Sequence, residues 1–341
     1  MLNINFKDVG QGDSILISWP EDEVIKIGVI DCHRYSGRNP ILEEIKHLNS
    51  KSKIIFEFII ISHGHKDHYS GIIELIEYCK SNKIIVKNFI STLHPSQFQF
   101  FDIVLSLGEK QKLKELIDKI NELYSVDNII EDLFPAYNKV INFKIAGFNF
   151  ECLYPRQNNY NILGNNLAKY IKGKIKTKPD LNYISTIFKL KNEQLYILFT
   201  SDCIIESLDY IQRKDEDVKN NTLHLNQVPH HGSINNHNYN FWKNRKKIEK
   251  CPAVISVGAS RHNLPDEKVV SGFTELNYKI YSTNYVNGIK SYIESNKAQE
   301  DYSYLLDSFS TLEEEYTAKK KDRFRGDKLF EVYDKKVKYI P

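Results

Sequence analysis

No stretch of the chain is both long and apolar enough to span a membrane. The longest apolar run, 54–62, is short and broken by Glu57, against the roughly 18 residues that a spanning helix needs. The opening residues, Met1-Leu2-Asn3-Ile4-Asn5-Phe6-Lys7-Asp8, lack a basic segment followed by an apolar one, so no secretory leader is expected. The expected location is the cytosol, without a membrane partner. Cysteine is scarce and scattered: Cys32, Cys79, Cys152, Cys203 and Cys251 show no CxxC spacing. That excludes a disulfide framework and a thiolate metal site as first readings and leaves reduced, buried thiols. A large charge excess is missing too. The net +3 over 341 residues does not announce a nucleic-acid binder, and the excess is local, because residues 319–341 carry nine Lys or Arg against four Asp or Glu. The single methionine beside abundant Ile, Lys, Asn and Tyr is read as coding bias.

What is present describes a folded globular chain, with 41% apolar and 27% charged residues. The expected organisation is one large domain over 1–295 and a helical, basic extension over 296–341. Strand-like runs at 2–6, 14–18, 24–31 and 54–62 are separated by Gly, Pro and Asp or Asn breaks. Helical spacing appears in Ile41, Ile45 and Leu48, in Ile72, Leu75 and Ile76, and in Leu113, Leu116, Ile117, Ile120 and Leu123. The second half repeats the order: strands around 140–154, a polar stretch over 156–180, strands near 184–190, 195–200, 222–228 and 252–257, then a helix over 299–320. Two halves that each supply a sheet and outer helices fit an α/β fold, a four-layer αββα sandwich.

Chemistry concentrates at strand exits. His63-Gly64-His65-Lys66-Asp67-His68 directly follows an apolar strand. A loop leaving a buried strand can aim two imidazoles, two residues apart, at one cation while the Asp and third His turn toward a neighbouring one. Imidazole with carboxylate suits Zn, Fe or Mn. Val228-Pro229-His230-His231-Gly232-Ser233 follows a second strand, and Leu198-Phe199-Thr200-Ser201-Asp202 ends a third in a carboxylate able to bridge two metals. Asp31 ends a fourth. A strand-terminal Asp alone is an ordinary turn former; the four exits in this order reinforce one another.

At these residues the chain resembles the metallo-β-lactamase superfamily, and within it the hydrolase-like domain of the ComEC branch, over about residues 1–295. Asp8-Val9-Gly10-Gln11-Gly12-Asp13-Ser14 resembles that branch's opening DVGQGD, and Asn182-Tyr183-Ile184-Ser185 its NxxS segment. Thr200-Ser201-Asp202 stands where the family has TGD, and Pro229-His230-His231-Gly232-Ser233 matches its PHHGS. Val257-Gly258, Pro265, Ser282-Thr283-Asn284 and Gly288 follow the order of its closing pattern.

The resemblance implies a metallo-β-lactamase-like sandwich holding two divalent ions, Zn or Mn. His63 and His65 would bind the first, Asp67, His68 and His231 the second, and Asp202 would bridge them. Asp67 would also orient the attacking water, and His230 would face the leaving oxygen. Asp13, Asp31 and Asn182 would stand behind the ligands. The implied activity is phosphodiester hydrolysis, on nucleic acid or on a small substrate such as a cyclic nucleotide or phosphocholine ester. The other reading is a catalytically degenerate module that binds nucleic acid or a protein partner.

Departures from the family pattern are specific. No histidine lies between His94 and His224, so the first site lacks a third imidazole; His94 is a candidate substitute, and a weakened first site favours Mn or a labile ion. Asp31-Cys32-His33 replaces D-T-G, Ser201 replaces a glycine, and His262 is offset from Pro265. On the substrate side, Lys172, Lys174 and Lys176, flanked by Lys169, Tyr170 and Lys178, form a candidate phosphate-gripping arm. A second basic cluster, 242–247, either flanks the same groove or faces solvent.

Overall fold

Alternation of apolar side chains gives the first strands two buried faces. In the computed structural model, which describes residues 1–93, 107–138, 140–300 and 325–341, these strands are β1 (Leu2–Phe6), β2 (Ser14–Glu21), β3 (Val24–Cys32) and β4 (Ile54–Ile61). Phe58 and Ile60 of β4 point to the second sheet, whereas Ile59 and Ile61 point to outer helices. Helix α1 (Pro40–Lys51) starts where Asn39 caps Leu42 N–H and Pro40 takes the first helical position; it buries Ile41, Leu42 and Ile45. The short α2 (Lys66–Tyr69) and α3 (Ile72–Ser81) follow β4.

The first sheet continues through β5 (Val86–Ser91) and β6 (Ile130–Pro135). The second comprises β7 (Asn142–Ile145), β8 (Phe148–Tyr154), β9 (Ile187–Lys191), β10 (Tyr196–Phe199), β11 (Leu223–Gln227), β12 (Cys251–Ile255) and β13 (Tyr278–Ser282). Two further strands, β14 (Lys328–Tyr333) and β15 (Lys336–Ile340), complete an eight-stranded sheet ordered β15-β14-β1-β2-β3-β4-β5-β6, facing a seven-stranded one ordered β13-β12-β11-β10-β9-β8-β7. Phe58, Phe150 and Phe188 stack through the interface with ring centroids 4.9 Å apart at each step. Helices cover both outer faces, so the four-layer αββα sandwich expected from the sequence is the observed fold. All five cysteines are buried and free. Among the described residues, no helix is long and apolar enough to cross a membrane.

Three local expectations differ from what is observed. The polar stretch 156–180 contains the helix Gln157–Ile171, whose five asparagines mask a buried stripe of Tyr160, Leu163 and Leu167. Strands β6 and β13 were not foreseen. The described part of the expected helical extension is different again: helix Asn287–Glu300 begins earlier, residues 301–324 lie outside the described residues, and β14 and β15 form a hairpin paired with β1. Lysines obscured its alternation, since Lys328, Phe330 and Val332 are all buried. Phe330 packs on Phe6 and Tyr281, so Phe330→Ala should destabilise the whole domain by about 3–5 kcal/mol. Denaturant unfolding measures this; an unchanged midpoint would mean that the hairpin contributes nothing to the core.

Candidate metal centre

Strands β3, β4 and β5 run parallel in one sheet, as do β10, β11 and β12 in the other. The carboxyl ends of such strands are where α/β sheets leave room for a ligand. Asp31 lies at the end of β3, residues 62–68 follow β4, Asp202 follows β10, and His230 and His231 follow β11.

Donor atoms of His63, His65 and Asp202 lie within 4.8 Å of one another, and so do those of Asp67, His68 and His231. Asp202 stands between the two groups. Its Oδ2 is 3.7 Å from His63 Nε2 and 3.4 Å from His68 Nε2, while its Oδ1 is 3.5 Å from His231 Nε2. His231 Nε2 is also 3.6 Å from Asp67 Oδ2. His68 Nε2, His231 Nε2 and Asp202 Oδ1 are buried with no hydrogen-bond partner among the described residues. Buried polar atoms are rarely left so, and nitrogen and carboxylate donors converging on one volume fit divalent cations.

The ring nitrogens facing away are held. His68 Nδ1 is 2.7 Å from Asp31 Oδ2, and His231 Nδ1 donates to the Ser256 carbonyl at 2.8 Å, which leaves each Nε2 turned inward. Asp31 accepts from Ser62 N–H at 2.7 Å and from Ser62 Oγ at 2.6 Å, and Ser201 Oγ donates to Ser62 Oγ at 2.7 Å. Gln227 ties the centre to the opening loop: its Nε2 donates to Asp13 Oδ2 at 2.8 Å, while its Oε1 accepts Thr200 N–H and Ser201 N–H. Asp31, Ser201, His230 and His231 all adopt positive φ, between 43° and 60°, a strain on the order of 1 kcal/mol each that surrounding bonds must offset. Ser201 thus takes the left-handed turn open to the glycine it replaces. Gly258 packs directly on the Gly10 backbone, where a Cβ would come within 2.4 Å.

The charges interlock. Burial, with His68 and His65 nearby, holds the His63 imidazole well below its ordinary value, so it is neutral. Against the opposing effect of burial, Asp202, Asp31 and Asp67 raise His68 well above its ordinary value, and Asp202, Asp67 and Asp13 raise His231 to about 9. Burial also opposes the imidazoles that hold Asp202 and Asp67 below the carboxylate range. Burial dominates at Asp13, whose carboxyl is pushed up to about 6 against His231 and His68. The carboxylates that raise His68 and His231 are the same charges that would draw cations into this volume.

His230 is half-exposed, its Nδ1 2.8 Å from Asn236 Oδ1 and 3.5 Å from Asn182 Nδ2, with Nε2 3.5 Å from Asp202 Oδ2. Asn182 lies behind His230, and Asp31 and Asp13 lie at the outer nitrogen of His68, while donor atoms of Asp13, Asp202 and His231 also fall within 4.8 Å of one another, which brings Asp13 within reach of the donor set. His262 is exposed; its backbone N–H donates to Ser260 Oγ and its Nε2 accepts from Arg261 Nε. Lys172, Lys174 and Lys176 are exposed on the segment leading to Asn182, and His94 lies outside the described residues. The 242–247 cluster supports the core at Trp242 and Arg245, whose guanidinium bonds to the Phe241 and Val218 carbonyls. Sequence reading missed Ser62, Asp180, Gln227, Asn236 and Ser256. Gln227 alone carried a signal, a buried polar residue just ahead of Val228-Pro229-His230.

No protein-family model matches the sequence, and no curated protein does. Among solved structures, the chain is similar to the metallo-β-lactamase fold protein YhfI from Bacillus subtilis, with TM-score 0.43 and 8% identity over 83% of this chain and 96% of that one. It is similar to Tm1679, a metal-dependent hydrolase of the β-lactamase superfamily, with TM-score 0.41 and 14% identity over 83% and 96%. It is also similar to Zn²⁺-bound PqqB from Methylobacterium extorquens, with TM-score 0.46 and 9% identity over 83% and 98%.

Proposed function

We propose that the chain is a metal-dependent hydrolase of phosphodiester bonds, of the ComEC-like branch of the metallo-β-lactamase superfamily, with His63, His65 and Asp202 at one cation and Asp67, His68, His231 and Asp202 at the other. The observation that carries this reading is that Asp202, grouped with His63 and His65, also lies 3.4 Å from His68 Nε2 and 3.5 Å from His231 Nε2, with buried atoms that no described residue satisfies. Bound divalent cations would polarise the phosphoryl oxygens and acidify a water. Asp67, ionised and half-buried beside His231, would orient such a water. His230 is partly exposed, and its Nε2, 3.5 Å from Asp202 Oδ2, is the nitrogen that would exchange a proton with the leaving oxygen, while Asn236 holds its Nδ1. The exposed Lys172, Lys174 and Lys176 would grip a polyanion, which favours nucleic acid over a small ester.

The test is cleavage of end-labelled single- and double-stranded DNA, and of a chromogenic phosphodiester, with Mn²⁺ or Zn²⁺ present. Asp67→Asn is expected to lower the rate roughly 10²–10⁴-fold on whichever substrate is cut. Equal rates in the variant and the wild type would defeat the reading.

A further inference from the structure

His65 is the exposed member of the centre, with 36% of its side chain accessible, whereas His63 and His68 are fully buried. Each buried imidazole has a partner on its outward nitrogen: Ser62 Oγ lies 3.1 Å from His63 Nδ1, Asp31 Oδ2 is bonded to His68 Nδ1, and the Ser256 carbonyl to His231 Nδ1. For His65 the inward nitrogen is Nδ1, 3.0 Å from His63 Nε2. Its outward Nε2 faces Asp180 Oδ1 at 3.7 Å. The same oxygen accepts Asn182 N–H at 2.9 Å and so caps the 3-10 turn Leu181–Ile184, which carries the Asn182 amide to His230 Nδ1. One carboxylate, 62% exposed, therefore lies within ion-pair distance of a donor of the first group and caps the turn behind His230.

We infer that Asp180 is the positioning residue of the first cation site: from 3.7 Å its charge favours the His65 tautomer with Nε2–H turned outward and the Nδ1 lone pair turned inward. The inference rests on the two-cation reading above. A carboxylate behind a metal-binding imidazole fixes its tautomer and raises its basicity, and its loss typically costs about 10–100-fold in metal affinity. Asp180 lies on the segment that bears Lys172, Lys174 and Lys176, so the arm proposed to hold the polyanion also holds the imidazole.

Asp180→Asn separates the two roles of the carboxylate. Asparagine caps helical turns as well as aspartate, so the turn should survive while the charge is lost. Wild type, Asp180→Asn, Asp180→Glu and His65→Ala are titrated with Mn²⁺ and with Zn²⁺ by calorimetry, and the metal-free melting temperature of each is recorded. The expected result is a fall of about 10–100-fold in one binding phase of Asp180→Asn, the same phase that His65→Ala abolishes. The second phase and the metal-free melting temperature should hold, and Asp180→Glu should recover part of the affinity. Wild-type affinity in both phases of Asp180→Asn would overturn the inference and leave the two-cation reading standing. A drop in metal-free melting temperature that accounts for the lost affinity would overturn it in favour of a structural cap. A wild-type chain that takes up neither ion would overturn the two-cation reading and this inference with it.

Discussion

On the proposed two-cation reading, Asp202→Asn is expected to abolish hydrolysis and to weaken uptake of both cations by more than the roughly 10–100-fold that follows loss of a group behind a ligand. The reason is geometric. One carboxylate reaches four imidazoles, with Oδ2 toward His63, His68 and His230 and Oδ1 toward His231, so its charge belongs to both donor groups. Asparagine keeps the shape and removes that charge. Thermal unfolding with and without Mn²⁺ separates binding from folding: a cation that binds only the native chain raises the melting temperature, and that increment should appear in the wild type and vanish in the variant. If Asp202→Asn still took up two ions, the carboxylate would not bridge.

The second large effect lies away from the centre. Lys189 of β9 is 1% exposed and faces the outer helices, with Nζ 2.8 Å from Asp215, 2.6 Å from Asp217 and 3.3 Å from Glu151. Burial opposes its charge, but the bonds to Asp215 and Asp217 outweigh burial and raise its pKa. Removing one partner of a buried ion pair leaves the other charge uncompensated. Lys189→Ala should therefore cost about 3 kcal/mol, the low end of the usual range, because the carboxylates keep 16–22% exposure and Lys191 still holds Asp217. The effect should depend on pH. Burial raises the Asp217 carboxyl, but Lys189 and Lys191 hold it below its ordinary value. That stabilisation is complete above the ordinary carboxyl range and is lost as pH falls through the lowered value. The gap between variant and wild type in urea unfolding should thus narrow in acid; a constant gap would assign the loss to packing.

The donor residues were legible because the chemistry is local: imidazoles and carboxylates crowd the few residues after a buried strand, and a reader needs only the strand and the side chains. The bracing was not legible, because it joins distant residues of ordinary type. Gln227 is bonded to Asp13 across 214 positions and Ser62 to Ser201 across 139, and neither Gln nor Ser announces such a role. Asp180 reads as a solvent-facing turn residue and is one, yet the fold also brings it within 3.7 Å of His65. The same contrast runs through the architecture. The strand at 2–6 stands out through strict alternation and that at 54–62 through a nearly unbroken apolar run, whereas β14 hides behind lysines that include the buried Lys328.

The partnership between β1 and β14 also sets a timetable. Lys7 meets Asp327 across 320 positions, and Leu2 pairs with Val332. At the usual 5–20 residues per second, roughly 15–60 s separate the two ends of this contact during translation. For that interval β1 has a partner on one side only, and its free edge offers backbone donors and acceptors to any passing strand. The donor loops are all synthesised by residue 231, yet the sheet that supports Asp13 and Asp31 closes only when β14 arrives.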